Sequence, residues 1–189
     1  MTIHPKPTPL ALVLKAALFA ADRHRNQKRK GRRGAPYINH PLAVAECLAT
    51  AGIDDPDILA AALLHDTVED TDTSLAELEE LFGQRVASIV AEVTDDKSLP
   101  KAERKRRQIL NAPKKSREAK LVKLADKLCN LCDLRDCPPD WTADRISVYH
   151  HFARDVYCGL RGIHSGLDSQ IEHVLAQHEQ GGDKICIFD

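Results

Sequence analysis

The 189-residue chain lacks any run of about 18 apolar residues, so we expect no transmembrane helix. Its first apolar stretch differs from a signal peptide, because Lys15 interrupts it and basic residues follow it instead of preceding it. It also lacks an excess of charge of one sign, with 27 basic and 28 acidic residues, which argues against a general nucleic-acid-binding protein. Hydrophobic residues make up 43% and charged residues 29%. These values predict a folded, soluble protein. Because the first apolar stretch is not typical of a signal peptide, we expect the protein to be cytoplasmic.

Signals for disulfides and thiolate-held metals are also weak. The six cysteines include one C-x-x-C pair, Cys129 and Cys132, whereas a zinc ribbon needs two such pairs. No βαβ pattern accompanies the pair, so a redox motif of the usual kind is not indicated. We therefore expect free thiols in a reducing compartment.

Alternating strand patterns, glycine-rich phosphate loops and internal repeats are absent as well. Most segments instead carry apolar residues at helical spacing. Several have start signals, such as Asp55 before Pro56, and Ser74 with Glu77 three residues later. The predicted fold class is all-α, with about eight to ten helices in a single domain over residues 1–189. Its core is expected at about 10–160, followed by a C-terminal helix and a loose tail in 161–189.

A cluster of polar residues interrupts this apolar pattern. The segment LLHDTVEDT follows the run ILAAALL and contains His65, Asp66, Glu69 and Asp70. At about 100° per residue, a helix continuing through this segment would place all four side chains in one sector. Carboxylates that close repel one another. A divalent cation held by His65 and Asp66 would compensate for the repulsion.

Further ligands for such a cation must come from other segments. His40 stands at the start of a predicted helix in YINHPLAVA, and Asp126 lies in the leucine-rich segment AKLVKLADKLCNL. Taken alone, His40 is typical of a cap or surface residue and Asp126 of a solvated helix face. Together with the H-D-x-x-E-D run they predict a site of mixed nitrogen and oxygen ligands. Its four members, His40, His65, Asp66 and Asp126, suit Mn²⁺, Fe²⁺ or Zn²⁺.

The order H…HD…D resembles that of the HD-domain metal-dependent phosphohydrolases. The segments PYINHPLAVA, ALLHDTVEDT, EVTDDKSLPKAERKRRQ and AKLVKLADKLCNL are similar to the hydrolase domain of the RelA/SpoT alarmone enzymes. The similarity is closest to the small metazoan SpoT-homologue type and covers roughly residues 10–160. It implies that ppGpp and pppGpp lose their 3′-pyrophosphate, giving GDP or GTP and pyrophosphate, with one Mn²⁺ per chain or another divalent metal.

Carried over by position, the resemblance makes His40, His65, Asp66 and Asp126 the metal ligands. Glu69 and Asp70 fall on the pair that handles the attacking water. The basic segment RKGRRGAPY resembles a family loop that lies near the nucleotide. Since the substrate carries several negative charges, cations should line its site. The predicted substrate-binding residues are Arg23, Lys28, Arg29, Lys30, Lys123, Lys127 and Asn130.

Two positions depart from the family pattern L-A-D-[KR]-L-[HY]-N-[LM]-R. Cys129 stands in place of the aromatic residue or histidine, and Cys132 in place of the arginine. If that arginine normally neutralises the substrate or an acidic neighbour, the affinity of this chain is lower or its substrate differs.

Three other functions stay open from the sequence. The same metal and water could hydrolyse another phosphorylated nucleotide, such as the 2′-phosphate of NADPH. A non-catalytic alarmone-binding protein is a second alternative, although intact Glu69 and Asp70 argue against it. Nucleic-acid binding by the basic stretches 23–33 and 101–107 is a third, and it predicts a steep dependence of affinity on salt. The length leaves no room for synthetase or regulatory domains, so constitutive hydrolysis is expected. The oligomeric state is not predicted.

Overall fold

The computed structural model describes residues 8–30 and 34–182, with side chains described up to residue 178. Within these ranges it contains ten α-helices and no strand, apart from an isolated bridge between Lys28 and Pro36. The helices are α1 (Pro9–Arg23), α2 (Asn39–Thr50), α3 (Pro56–Leu64), α4 (Thr67–Asp70), α5 (Leu75–Phe82), α6 (Gln84–Val93), α7 (Lys101–Asn111), α8 (Arg117–Asp136), α9 (Ala143–Cys158) and α10 (Ser165–Gly182). A 3₁₀ turn, Ala112–Lys114, joins α7 to α8. The predicted all-α class is confirmed. The predicted tail at 183–189 lies outside the described residues.

The local signals in the sequence act where they were expected. The Asp55 side chain caps α3 by accepting a hydrogen bond from the backbone N–H of Asp57 at 3.0 Å. Ser74 caps α5 through the backbone N–H of Glu77 at 3.1 Å. Gly83, with φ of +89°, makes the sharp connection between α5 and α6, a conformation that glycine adopts without the strain a side chain would add.

Three helices at the centre of the fold hold the candidate site. Helix α3 is apolar on every side, with residues 60–64 almost completely buried, and it packs against α1, α2, α6 and α8. Helix α8 is buried at every residue from 121 to 128 and packs against α2, α3, α6, α9 and α10. Polar side chains at such positions need partners, because an unpaired buried charge is costly. His40 lies in the first turn of α2, His65 directly follows α3, and Asp126 lies in the middle of α8.

The continuous helix expected through LLHDTVEDT is wrong. Helix α3 ends at Leu64, a turn containing His65 and Asp66 follows, and the four-residue helix α4 begins at Thr67. The His65 ring donates from Nδ1 to the carbonyl oxygen of Ala62 at 2.7 Å, and the Thr67 hydroxyl donates to that of Leu64 at 2.7 Å. These side chains compete for carbonyl groups of the last turn of α3. Because of this break, the side chains of His65 and Asp66 are oriented differently relative to those of Glu69 and Asp70 than they would be on a continuous helix.

No helix in the described part of the chain combines the length and apolar character needed to cross a bilayer.

Candidate metal centre and substrate cavity

Three potential metal ligands converge at the junction of α2, α3 and α8. His40, His65 and Asp126 are 3%, 3% and 5% exposed, and their ligand atoms all lie within 4.8 Å of one another. Asp126 Oδ1 lies 3.2 Å from His40 Nε2 and 3.8 Å from His65 Nε2. Over the residues that the structure describes, no other group of three or more His, Cys, Asp or Glu side chains meets this geometry.

Asp66 faces the same space from the turn between α3 and α4. Its Oδ2 atom lies 3.1 Å from His65 Nε2 and 4.0 Å from His40 Nε2. It also accepts a hydrogen bond from the Tyr37 hydroxyl at 2.5 Å. The structure therefore brings together all four residues predicted as ligands. Tyr37 received no role in the sequence analysis, although it ends the RKGRRGAPY segment three residues before His40.

The donor set fits a divalent transition metal. The Ala62 carbonyl can only accept, so His65 Nδ1 carries a ring hydrogen and Nε2 is the nitrogen left to bind a cation. That Nε2 atom is buried and has no hydrogen-bond partner among the described residues. A buried polar atom without a partner is unfavourable unless something else satisfies it. Imidazole nitrogens combined with carboxylates suit Mn²⁺, Fe²⁺ or Zn²⁺.

Charges around the cluster set its protonation. Burial alone would raise the pKa of Asp126, but Lys127 Nζ at 3.3 Å, together with His40 and Lys123, holds that pKa well below its usual range. Burial lowers the pKa of His40. Burial would also lower the pKa of His65, but the Asp66 carboxylate outweighs it and raises that pKa to about 9. A cation that binds His65 at neutral pH must therefore displace a proton.

The two acids predicted to handle water project from α4 beside this cluster. Glu69 Oε2 accepts a hydrogen bond from the backbone N–H of Asp95 at 3.1 Å, and Oε1 lies 3.4 Å from Arg104 Nη1. Burial raises the pKa of Glu69. Asp70 Oδ1 lies 2.5 Å from Lys97 Nζ. The carboxylate repulsion inferred from sequence is thus relieved in part by cations of the protein itself.

Lys97 and Arg104 were not recognised from the sequence as partners of these acids. Both lie in the segment EVTDDKSLPKAERKRRQ, whose basic stretch at 101–107 suggested only nucleic-acid binding. The available signal was the similarity of that whole segment to the hydrolase family. Nothing in its composition indicated which of its cations would reach α4.

A cavity of about 730 Å³ opens beside the metal cluster. His40 belongs to both the cluster and the cavity wall, and Tyr37 of the wall donates a hydrogen bond to Asp66 of the cluster, so the two adjoin. Its wall contains the predicted residues Lys28, Arg29, Lys30 and Asn130, together with Asp133, Trp141 and Tyr149. The size and the convergent polar groups are those of a small-molecule site.

The loop that carries the basic wall is held by its own backbone. Arg29 N–H donates to the Ala35 carbonyl at 2.9 Å, and Tyr37 N–H donates to the Gln27 carbonyl at 3.0 Å. Gly34 turns the chain with φ of +54°. Arg32 and Arg33 of the same basic segment lie outside the described residues.

Three of the cations predicted to bind substrate are placed differently. Arg23 forms an ion pair with Glu77 of α5 and stacks on Phe19, and it does not line the cavity. Lys123 and Lys127 are buried, with Nζ atoms 3.8 Å and 3.3 Å from Asp126 Oδ2. Their charges therefore act on the candidate ligand, and neither lines the cavity.

The five cysteines of the described residues are free, as expected, and Cys186 lies outside them. Cys129, one of the two departures from the family pattern, is half-buried and hydrogen-bonded to Cys47 of α2. Cys132 is half-buried against the core. Neither thiol reaches the metal cluster.

Comparison with known proteins gives consistent matches. Residues 16–161 match the HD domain family. A zebrafish (Danio rerio) protein named guanosine-3′,5′-bis(diphosphate) 3′-pyrophosphohydrolase MESH1 is 52% identical over 169 residues, covering 88% of this chain and 94% of the relative. The human protein of the same name is 54% identical over 169 residues, with the same coverage. A solved structure described as a metazoan ortholog of SpoT that hydrolyses ppGpp superposes with a TM-score of 0.86 and 46% identity, covering 93% and 98% of the two chains.

Proposed function

Because this chain belongs to the HD domain family, we propose that its metal cluster and cavity together hydrolyse guanosine alarmones. The reaction adds water to ppGpp or pppGpp and releases pyrophosphate and GDP or GTP. The observation that carries the proposal is the buried cluster of His40, His65 and Asp126 at the wall of a cavity lined by basic side chains. The names of relatives at 52% and 54% identity support the same activity.

We propose that His40, His65, Asp66 and Asp126 hold one divalent ion, with Mn²⁺ as the expected metal. A bound ion would supply positive charge that lowers the pKa of water and polarises a phosphoryl oxygen. Lys123 and Lys127 keep Asp126 ionised and available to a cation. The hydrogen bond from His65 Nδ1 to Ala62 keeps Nε2 directed at the site.

Glu69 is the proposed general base. Its carboxylate is fixed by the Asp95 N–H and by Arg104, and its raised pKa brings it closer to neutrality, where a base is most effective. Asp70, held by Lys97 and within 3.5 Å of the Tyr37 hydroxyl, orients the attacking water. Arg29, Lys28 and Lys30 bind the phosphates, and Asn130 links this wall to Asp126.

The organisation of the chain supports the same proposal. One cluster of buried apolar side chains joins α1 to α10, which supports a single hydrolase domain. The five free cysteines support activity in a reducing compartment such as the cytoplasm. The cavity of about 730 Å³ has the size of a small-molecule site, and this favours a small-molecule substrate over nucleic acid.

The decisive experiment uses metal-stripped protein supplied in turn with Mn²⁺, Fe²⁺, Zn²⁺ or Mg²⁺ and incubated with ppGpp. Separation of products should show GDP and pyrophosphate in equal amounts, with the highest turnover in Mn²⁺. A parallel incubation with NADPH tests the alternative substrate through release of phosphate. Turnover of NADPH without turnover of ppGpp would reject the alarmone assignment. Turnover of neither would reject a hydrolase function.

The pH dependence of turnover should report the raised pKa of Glu69. A general base must be unprotonated, so turnover should fall as pH drops through that pKa, which lies above the 4.5 of an ordinary glutamate. The measurement is kcat/KM against pH at saturating Mn²⁺, with metal content determined at each pH because protonation of His65 also displaces the ion. The residual activity of Glu69→Gln should lack this acid limb. An unchanged limb in that variant would assign it to another group.

A further inference from the structure

An acidic side chain lies in the wall of the cavity proposed to bind a polyanionic nucleotide. Asp133 of α8 lines the cavity, and its Oδ2 atom lies 2.5 Å from Arg29 Nη2. A carboxylate at this place repels phosphate unless it serves another purpose. We propose, on the basis of the function above, that Asp133 is a positioning residue that aims the Arg29 guanidinium at the phosphates of the substrate.

The hydrogen bonds of Arg29 show which of its N–H groups are already in use. Both of its contacts use the same nitrogen, since Nη2 donates to Asn130 Oδ1 at 2.8 Å and to Asp133 Oδ2 at 2.5 Å. A guanidinium has five N–H donors in a planar fork, so Nε and Nη1 keep theirs. No acceptor for them is found among the described residues. Nη2 is thus anchored to α8, and the N–H groups of Nε and Nη1 are left to donate charge-assisted hydrogen bonds to phosphate oxygens.

A third contact restrains the position of the guanidinium. Its central carbon lies 5.7 Å from the centroid of the Tyr37 ring, within range of a cation–π interaction. The loop backbone beneath Arg29 is held by the hydrogen bond to Ala35. Arg29 is therefore restrained at its backbone, at one edge and near one face before any substrate binds.

The two side chains differ in their access to water. The Arg29 side chain is 21% exposed and that of Asp133 is 58% exposed, so the carboxylate stands on the solvent side of the arginine. Burial would lower the pKa of Arg29, but the hydrogen bond and charge of Asp133 outweigh it and raise that pKa. Asp133 thus compensates for the half-buried cation while the cavity holds no phosphate.

Asn130 connects the anchored arginine to the metal cluster. Its side-chain nitrogen donates to Asp126 Oδ1 at 2.6 Å, while its oxygen accepts from Arg29. Asp133 lies one turn further along α8, so one rigid helix sets the position of Arg29 relative to Asp126. Pre-positioning a binding group lowers the entropy lost when the ligand binds. The effect of Asp133 should therefore appear in substrate affinity more than in the chemical step.

The test compares Asp133→Ala, Asp133→Asn, Arg29→Ala and the double variant Arg29→Ala/Asp133→Ala, each saturated with Mn²⁺. Asp133→Ala should raise KM for ppGpp about 10-fold and change kcat less than about 2-fold, because positioning is lost but the metal and Glu69 are intact. The dissociation constant of GDP should rise by a similar factor. Asp133→Asn keeps a hydrogen-bond acceptor but loses the charge. Its KM should therefore lie between those of the wild type and Asp133→Ala. In the Arg29→Ala background, Asp133→Ala should add almost nothing.

Asp136 is the matched control. It lies one turn beyond Asp133 on α8, is similarly exposed and pairs with Arg135 next to it in sequence. Asp136→Ala should leave KM and kcat unchanged. A melting curve for each variant shows whether α8 stays folded.

Three results would overturn the inference. If Asp133→Ala lowers KM, the carboxylate competes with the substrate for Arg29. If Asp133→Ala weakens binding equally with and without Arg29, it acts through another group. If KM and GDP binding are unchanged, Asp133 has no part in affinity. A wild-type protein that does not hydrolyse ppGpp would instead reject the proposed function.

Discussion

Replacing His65 with alanine should remove the divalent ion and lower turnover of ppGpp by at least roughly 10³-fold, since a catalytic metal contributes several kcal/mol to transition-state stabilisation. The imidazole is 3% exposed, and its buried Nε2 atom faces the carboxylates of Asp66 and Asp126. Without His65, the site loses one of its two imidazole ligands. The carboxylates of Asp66 and Asp126 then repel each other more strongly. The measurements are Mn²⁺ content per chain after dialysis and the initial rate with ppGpp.

A loss of fold would imitate this result, so two further variants are needed. Asp126→Asn keeps the shape of the side chain while removing its charge, and it should also lose Mn²⁺. His173→Ala removes an exposed histidine from α10 and should change neither metal content nor rate. Full Mn²⁺ occupancy in folded His65→Ala protein would contradict the assignment of His65 as a ligand.

The parts of the fold that sequence predicted correctly are those determined by neighbouring residues. Caps such as Asp55 and Ser74 act over two or three residues, so their hydrogen bonds follow from the local pattern. The helical period of α8 is likewise local. The break after Leu64 is also short in range, but it depends on His65 and Thr67 taking carbonyls of α3 in competition with the backbone. Periodicity alone carries no information about that competition.

The positions of the cations were predicted least well, because the charge of a residue does not indicate which other residues it contacts in the fold. Arg23 was selected for its position near the basic loop, but helix α5 places Glu77 beside it. Lys123 and Lys127 were selected as neighbours of Asp126, and the burial of α8 turns them toward that carboxylate and not toward the cavity. Lys97 and Arg104 reach α4 from a segment more than 20 residues further along the chain. Such pairings follow from the packing of helices and not from spacing in the sequence.

The acids of the site differ in the charged groups that surround them and therefore in their pKa values. Asp66 and Asp126 lie against imidazoles or ammonium groups, which hold their pKa values below the usual range despite burial. Glu69 is buried with weaker compensation, and its pKa is raised. An ionised carboxylate is suited to hold a cation, and one with a higher pKa is suited to accept a proton. The environments thus favour Asp66 and Asp126 as the proposed ligands and Glu69 as the proposed base.

Substitution of Glu69 by glutamine should test that division directly. We expect turnover of ppGpp to fall by about 10²-fold or more, the usual contribution of a general base, while Mn²⁺ content stays at the wild-type level. The glutamine oxygen can still accept the hydrogen bond from the Asp95 N–H, so the position of the side chain is kept and only its basicity is lost. Asp70→Asn should show the same separation of rate from metal content, because Asp70 contacts Lys97 and Tyr37 and neither imidazole of the cluster. The measurements are kcat with saturating ppGpp and Mn²⁺ bound per chain.

The matched control for both variants is Asp72→Asn, an exposed carboxylate just beyond α4 that should leave rate and metal content unchanged. If Glu69→Gln or Asp70→Asn loses Mn²⁺ together with activity, the substituted residue is a ligand, and the division between Asp66 and the acids of α4 is wrong. If either variant keeps both metal and rate, its carboxylate does not act on the attacking water. We expect retained metal with a reduced rate, because a turn separates α4 from α3 and places Glu69 and Asp70 one helical turn beyond His65 and Asp66.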